Sequence, residues 1–156
     1  MLSDKAKKEI EAALKKYPNK RSAVMDALRI AQSDRGGHIE RTDMEDVAAA
    51  LEMSPVEVHA AAAFYTMYNI QKPVGRHHIQ VCRNISCSLL GAEHIIKYIE
   101  RSLNIKTGET TPDNRFTLST VECLGSCGTA PMMQVNDDYY ENLTEQKVDE
   151  IFKKLV

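Results

Sequence analysis

Four cysteines, and no others, occur in these 156 residues, in two tight pairs: Cys82-x4-Cys87 and Cys123-x3-Cys127. Their surroundings read VCRNISCSLLG and VECLGSCGTAP. Thiolates are soft ligands, so four of them brought together make a site for zinc or an iron–sulfur cluster. Within a pair, the few intervening residues let the backbone loop over a metal and present both sulfurs. The long gap between the pairs leaves tertiary folding to complete the site. Structural zinc commonly uses pairs of this spacing, while an x4 pair with a small or apolar interior is shared with plant-type [2Fe–2S] ferredoxins. A thiol-exchange C-x-x-C is absent.

Disulfides are the third use of four cysteines, and the start of the chain argues against them. MLSDKAKKEIEAALKKYP mixes acids among its lysines and has no apolar core, so it is not expected to be a signal or transit peptide. With no sign of export, the cysteines are expected to be reduced ligands. The net charge of -2 argues against a nucleic-acid binder, which would carry a basic excess. No stretch reaches the apolar length needed to span a bilayer.

The first half of the chain has helical periodicity and contains no cysteine. Ile10, Leu14 and Tyr17 recur at helical spacing and Pro18 closes that segment. Val24, Leu28 and Ala31 define a second helix, ending at Gly36-Gly37. A third is expected from Thr42, with Glu45 as the partner in a capping box and Met44, Val47, Ala48 and Leu51 as its stripe. The fourth has the strongest start signal, with Ser54 as N-cap, Pro55 at the first helical position and Glu57 completing the box. It is expected to run on through VEVHAAAAFYTMY.

Beyond Gly75 the character changes. HHIQVC (77–82) alternates as a strand, and an amphipathic helix is expected from Leu89 to Leu103, with Leu89, Ala92, Ile96, Ile99 and Leu103 on one face. RFTLSTV gives a second strand, PMMQVNDDYYE two short strands around a turn, and Thr144 opens a last helix facing inward with Val148, Ile151, Phe152 and Leu155. The order β-α-β-β-β-α, with a first crossover of helical length, implies a parallel strand pair. That is close to a thioredoxin-like layout. The fold class is therefore α+β, an N-terminal helical bundle (1–75) followed by a thioredoxin-like domain (76–156).

On this layout Cys82 ends the first strand and Cys87 precedes a helix whose N-terminal N–H groups favour an anionic thiolate assembly. Cys123 ends the second strand and Cys127 follows in the next loop. Two neighbouring parallel strands deliver both loops to one edge of the sheet. Gly125 and Gly128 are read either as positions kept bare so that amides can approach sulfur, or as ordinary turn residues. None of the five histidines (His38, His59, His77, His78, His94) lies in a cysteine loop, so a Rieske-type site is not expected. Asp137-Asp138 is read as turn chemistry, and Met132 and Met133 as core filler. No G-x-G-x-x-G, P-loop or nucleophile–base constellation is present.

VCRNISC followed by VECLGSCGTAP resembles the [2Fe–2S] subunit family of respiratory NADH:quinone oxidoreductase, complex I (its 24-kDa or E subunit). The same module occurs in NAD-linked hydrogenases and formate dehydrogenases. The resemblance covers nearly the whole chain, and HAAAAFYTMYNIQKPVGRH is similar to the family's connecting segment between domains. It implies a helical domain joined to a thioredoxin-like [2Fe–2S] ferredoxin domain, with Cys82, Cys87, Cys123 and Cys127 as both metal and cofactor ligands. It also implies an electron-transfer subunit with no catalytic residue of its own, beside the FMN- and NADH-binding F (51-kDa) subunit, on the cytoplasmic face of the inner membrane. Two alternatives stay open: the equivalent diaphorase subunit of a hydrogenase or formate dehydrogenase, and a four-cysteine zinc module acting only as a scaffold.

Overall fold

The computed structural model describes residues 1–155 and divides into two compact units, Met1–Pro73 and the chain from Val74 onward. The first is helical: α1 (Asp4–Leu14), a 3-10 turn (Lys20–Ala23), α2 (Val24–Asp34), α3 (Arg41–Leu51) and α4 (Pro55–Phe64). Ile10, Leu28, Val47, Leu51 and Val58 fill its core, with Ala27, Ala31, Ala48 and Ala62 fully buried among them. The small alanines let helices approach closely. The start of α4 follows the sequence expectation: Ser54 Oγ accepts from Glu57 N at 3.3 Å and Glu57 Oε2 accepts from Ser54 N at 3.0 Å.

Two expectations for this unit need correction. Helix α3 begins a residue before Thr42 and is capped by a reciprocal Glu40–Asp43 pair. Asp43 is fully buried, and the Arg35 guanidinium meets it with two bonds of 2.8 and 3.0 Å. Burial opposes its charge, yet the bonds from Arg35 and the Glu40 amide prevail and hold its carboxyl below the usual carboxylate range. A buried ion therefore selected this cap, which the Thr-x-x-Glu pattern did not reveal. Helix α4, secondly, stops at Phe64 rather than continuing to Tyr68. Tyr68 then folds back, and its hydroxyl donates to the Met25 carbonyl at 2.9 Å.

In the second unit, β1 (His77–Cys82) pairs in parallel with β2 (Phe116–Val121), from His77 opposite Phe116 to Cys82 opposite Val121. On its other side β1 pairs antiparallel with β3 (Met133–Val135), which forms a hairpin with β4 (Asp138–Tyr140). The sheet order is β2-β1-β3-β4. Ile79 and Val81 of β1 share a buried cluster with Phe116, Leu118, Met133 and Val135. Helix α6 (Ala92–Leu103) adds Ile95, Ile96 and Ile99 to it, and α7 (Glu145–Lys154) adds Val148 and Ile151. This α+β arrangement is the thioredoxin-like layout read from the sequence.

The connection between β1 and α6 differs from the expectation of one helix from Leu89. A separate short helix, α5 (Ile85–Leu89), comes first, and Gly91, at φ 98°, breaks the chain before α6. Leu89 is 80% exposed, and Ile95 takes the inward place expected of it. A positive φ is open to glycine at little cost, so Gly91 is the turning point.

Candidate metal centre

The end of β1 and the loop after β2 bring the four cysteines to one end of the sheet. Cys82 is the last residue of β1, and Cys87 lies inside α5 rather than ahead of a helix. Asn84 caps α5, its side chain accepting from Ile85 N at 2.7 Å, and Ser88 Oγ donates to the Arg83 carbonyl at 2.9 Å. The first cysteine pair thus sits in a tightly bonded turn. Cys82 and Cys87 are 4% and 3% exposed, on a floor made with Ala92 and the fully buried Met132. The second pair differs. Strand β2 ends at Val121, two residues before Cys123, and Cys127 starts a 3-10 turn (Cys127–Thr129). Both Cys123 and Cys127 are exposed.

All four thiols are free, and they feel one another. Burial opposes ionisation of Cys82 most, but the amides of Asn84 and Leu124 and the thiols of Cys87 and Cys123 outweigh it and lower its pKa. Cys87 moves the other way. Burial pushes it up first, then the Cys82 thiol, and the charges of Cys82 and Cys127 add to the rise while the Met132 amide opposes it. Gly125 N donates to Cys123 Sγ at 3.3 Å. The set is a chain of neighbouring thiols met by backbone N–H groups. Among the described residues no three His, Cys, Asp or Glu side chains converge as ligands of one ion.

A two-iron cluster asks for two thiolates on each iron and for N–H groups that tune its potential. Four free cysteines, an apolar floor and amides aimed at sulfur fit that group. The glycines of the second loop have a more specific reading than the sequence allowed. A side chain at Gly125 or Gly128 would meet no protein atom within 4 Å outside its own chain neighbours. Gly125 is needed for its φ of 77°, which aims its N–H at Cys123, while Gly128 has an ordinary backbone angle.

The histidines lie away from these loops. His38 is near Glu40 in the helical unit, His59 is on α4, and His94 of α6 meets Glu145 at 2.9 Å. His77 and His78 open β1, four and more residues before Cys82. Asn136 and Asp137 form the β3–β4 turn, which Asp138 leaves as the first residue of β4.

Sequence reasoning missed the residues that support the second loop. Tyr139 Oη donates to the Leu124 carbonyl at 2.9 Å. The Glu141 carboxylate accepts from Ser126 Oγ and, at 2.7 Å, from Thr129 Oγ1. The amides of Asn142 and Leu143 then donate to the carbonyls of Thr129 (2.7 Å) and Pro131 (2.9 Å). The two hydroxyls hold the Glu141 carboxyl below its ordinary range. These partners are a dozen or more positions apart, and no local pattern announces them.

Comparison with known proteins agrees with this architecture. The chain is 48% identical over 147 residues to the second E subunit of NADH-quinone oxidoreductase of Rhizobium meliloti (strain 1021), covering 94% of this chain and 86% of that protein. It is 46% identical over 146 residues to the NADH-quinone oxidoreductase E subunit of Rickettsia prowazekii (strain Madrid E), covering 92% and 82%. The fold is shared with a chain of NAD+-reducing [NiFe]-hydrogenase in the air-oxidized state, at a TM-score of 0.71 and 22% identity, over 85% of this chain but only 22% of the hydrogenase chain. Residues 10–156 match the thioredoxin-like [2Fe–2S] ferredoxins, and the chain belongs to that family.

Proposed function

We propose that Cys82, Cys87, Cys123 and Cys127 hold one [2Fe–2S] cluster, and that the chain is the electron-transfer (E) subunit of an NADH-oxidising quinone reductase. The observation that carries this reading is the meeting of two cysteine loops at one end of a parallel strand pair, with backbone amides directed at sulfur. When bound, such a cluster accepts and passes on one electron at a time. The chain's own residues fix its place and potential: α5 and the Met132 floor shield the Cys82–Cys87 side, and the exposed Cys123–Cys127 side faces outward. No residue is assigned a catalytic role, and hydride chemistry falls to an FMN- and NADH-binding F (51-kDa) subunit beside it. Among the described residues no helix is long and apolar enough to cross a membrane. Attachment to the cytoplasmic face of the inner membrane is therefore assigned to the partner chains.

The helical unit is proposed as the docking domain for that partner. Phe64, Tyr65 and Met67 are 78%, 39% and 48% exposed, an apolar surface that a partner would cover. The hydrogenase fold match supports a second reading, the diaphorase subunit of an NAD-linked hydrogenase. Chains co-purifying with the native protein distinguish the two. The ligand assignment is tested on anaerobically purified protein, which should contain about two irons and two acid-labile sulfides per chain. A colourless protein with stoichiometric zinc and no labile sulfide would mean the scaffold alternative instead. The docking role is tested with a 76–156 fragment, expected to assemble the cluster but to bind the flavoprotein weakly. Full-strength binding by the fragment removes that role.

A further inference from the structure

Strand β4 and the residues after it do more than finish the sheet, because every strut from outside the second cysteine loop described above comes from positions 139–143. Glu141 is the centre of this arrangement. One carboxylate oxygen receives the hydroxyls of both Ser126 and Thr129, the residues on either side of the Cys127–Gly128 step. Those two hydroxyls also lie 2.7 Å apart, and Thr129 Oγ1 is 3.2 Å from the Ser126 carbonyl. Glu141 is anchored in turn, since its own carbonyl accepts from Lys147 Nζ of α7 at 2.6 Å. The arrangement has no counterpart in the first loop, which Asn84 and Ser88 hold from within. It also sets an ionised carboxylate against the loop that carries two exposed thiols.

We propose that Glu141 is a positioning residue for Cys127: its carboxylate latches residues 126–129 into the cluster-binding conformation and adds a negative charge that lowers the cluster's reduction potential. The proposal rests on the ligand assignment above. Its two parts separate chemically. Latching needs an acceptor oxygen that takes both hydroxyl protons, whereas the effect on potential needs the charge, because a nearby negative charge disfavours adding an electron.

Full-length wild type, Glu141→Gln, Glu141→Ala, the double variant Ser126→Ala/Thr129→Val, and the exposed α7 control Glu150→Gln are compared by three readouts. These are amide exchange of residues 124–130 in metal-free protein, cluster lifetime in chelator, and midpoint potential with the electron paramagnetic resonance spectrum. Glu141→Ala is expected to deprotect residues 124–130, shorten the cluster lifetime about tenfold, as loss of charge-assisted bonds would, and raise the potential. Glu141→Gln keeps an acceptor, so its loop stays largely protected while its potential rises. The double variant keeps the charge, so its loop loosens with a smaller change in potential, and Glu150→Gln matches wild type. Should Glu141→Ala fail to fold, Glu141→Gln and the double variant decide. An unchanged exchange pattern in the double variant overturns the latch, and an unchanged potential in Glu141→Gln overturns the electrostatic half. Wild type lacking labile sulfide overturns the ligand assignment and the potential effect with it, and the exchange experiment still judges the latch by itself.

Discussion

The loop bearing Cys82 and Cys87 is held from within, whereas the loop bearing Cys123 and Cys127 is held from outside. In the first, a capped turn of helix follows a central strand directly, and both sulfurs are buried against Ala92 and Met132. In the second, one irregular residue, Glu122, separates strand from cysteine, both cysteines are exposed, and Tyr139 and Glu141 supply the struts. The first half of the site has local side-chain supports in Asn84 and Ser88, on the floor that Met132 provides. Support from a distance makes the second half dependent on the β3–β4 hairpin, and leaves its sulfurs open to a partner.

Four experiments would break or sharpen that contrast. The largest effect is expected from Cys87→Ser, which removes a proposed ligand and leaves a hydroxyl in an apolar pocket at roughly 1–3 kcal/mol. It should purify without labile sulfide. Cys123→Ser places its hydroxyl in water and should keep a cluster of altered spectrum and shorter life. Equal loss in both variants would break the comparison.

Acid is the next probe, because β1, which ends in Cys82, carries His78. Burial pushes the pKa of His78 down to about 4, and its Nε2 lies 2.7 Å from Ser119 Oγ. Burial, with Arg76 and Arg115 nearby, lowers His77 in the same direction. The unfolded chain takes up a proton below about pH 6.5 while folded His78 does not, so stability is complete above that pH. It falls as pH drops, by up to roughly 3 kcal/mol for His78 as the folded pKa is approached. Urea midpoints of the metal-free protein followed by circular dichroism should therefore decline between pH 7 and pH 5. His78→Gln should flatten the decline, and an equally steep profile in that variant would rule His78 out as its source.

Smaller effects test each loop's own device. Asn84→Ala removes the α5 cap, worth about 1 kcal/mol, and Gly125→Ala forces a β-carbon into a left-handed backbone at a cost of roughly 1–2 kcal/mol. Both should shorten cluster lifetime in chelator several-fold. The smallest changes are expected from Tyr139→Phe, about 0.5–1 kcal/mol for one exposed bond, and from Gly128→Ala, which should be silent. A Gly128 variant as damaging as the Gly125 variant would show that space, not backbone angle, governs the loop.

Much of the fold was legible because it follows from local chemistry. Ser54-Pro55 with Glu57, Thr144 before α7, and the alternation of Ile79 and Val81 each state their structure within a few residues. The break at Gly91 was missed because the apolar spacing runs on through Leu89, and only the backbone angle reveals the turn. The Glu40–Asp43 cap was missed because the ion pair of Arg35 with the buried Asp43, not the capping pattern, decides it. At the candidate site the cysteines announced themselves by spacing. Glu141 and Tyr139 did not, since their partners are brought near only by the β3–β4 hairpin.

The parallel ladder that ends with Cys82 opposite Val121 also imposes an order of assembly. Parallel strands meet only after the long crossover through α5 and α6 has closed, a loop entropy met before any cofactor can repay it. The hairpin that braces the second loop must dock as well. With no metal bound, the exposed Cys123 and Cys127 are the two of the four thiols most open to oxidants.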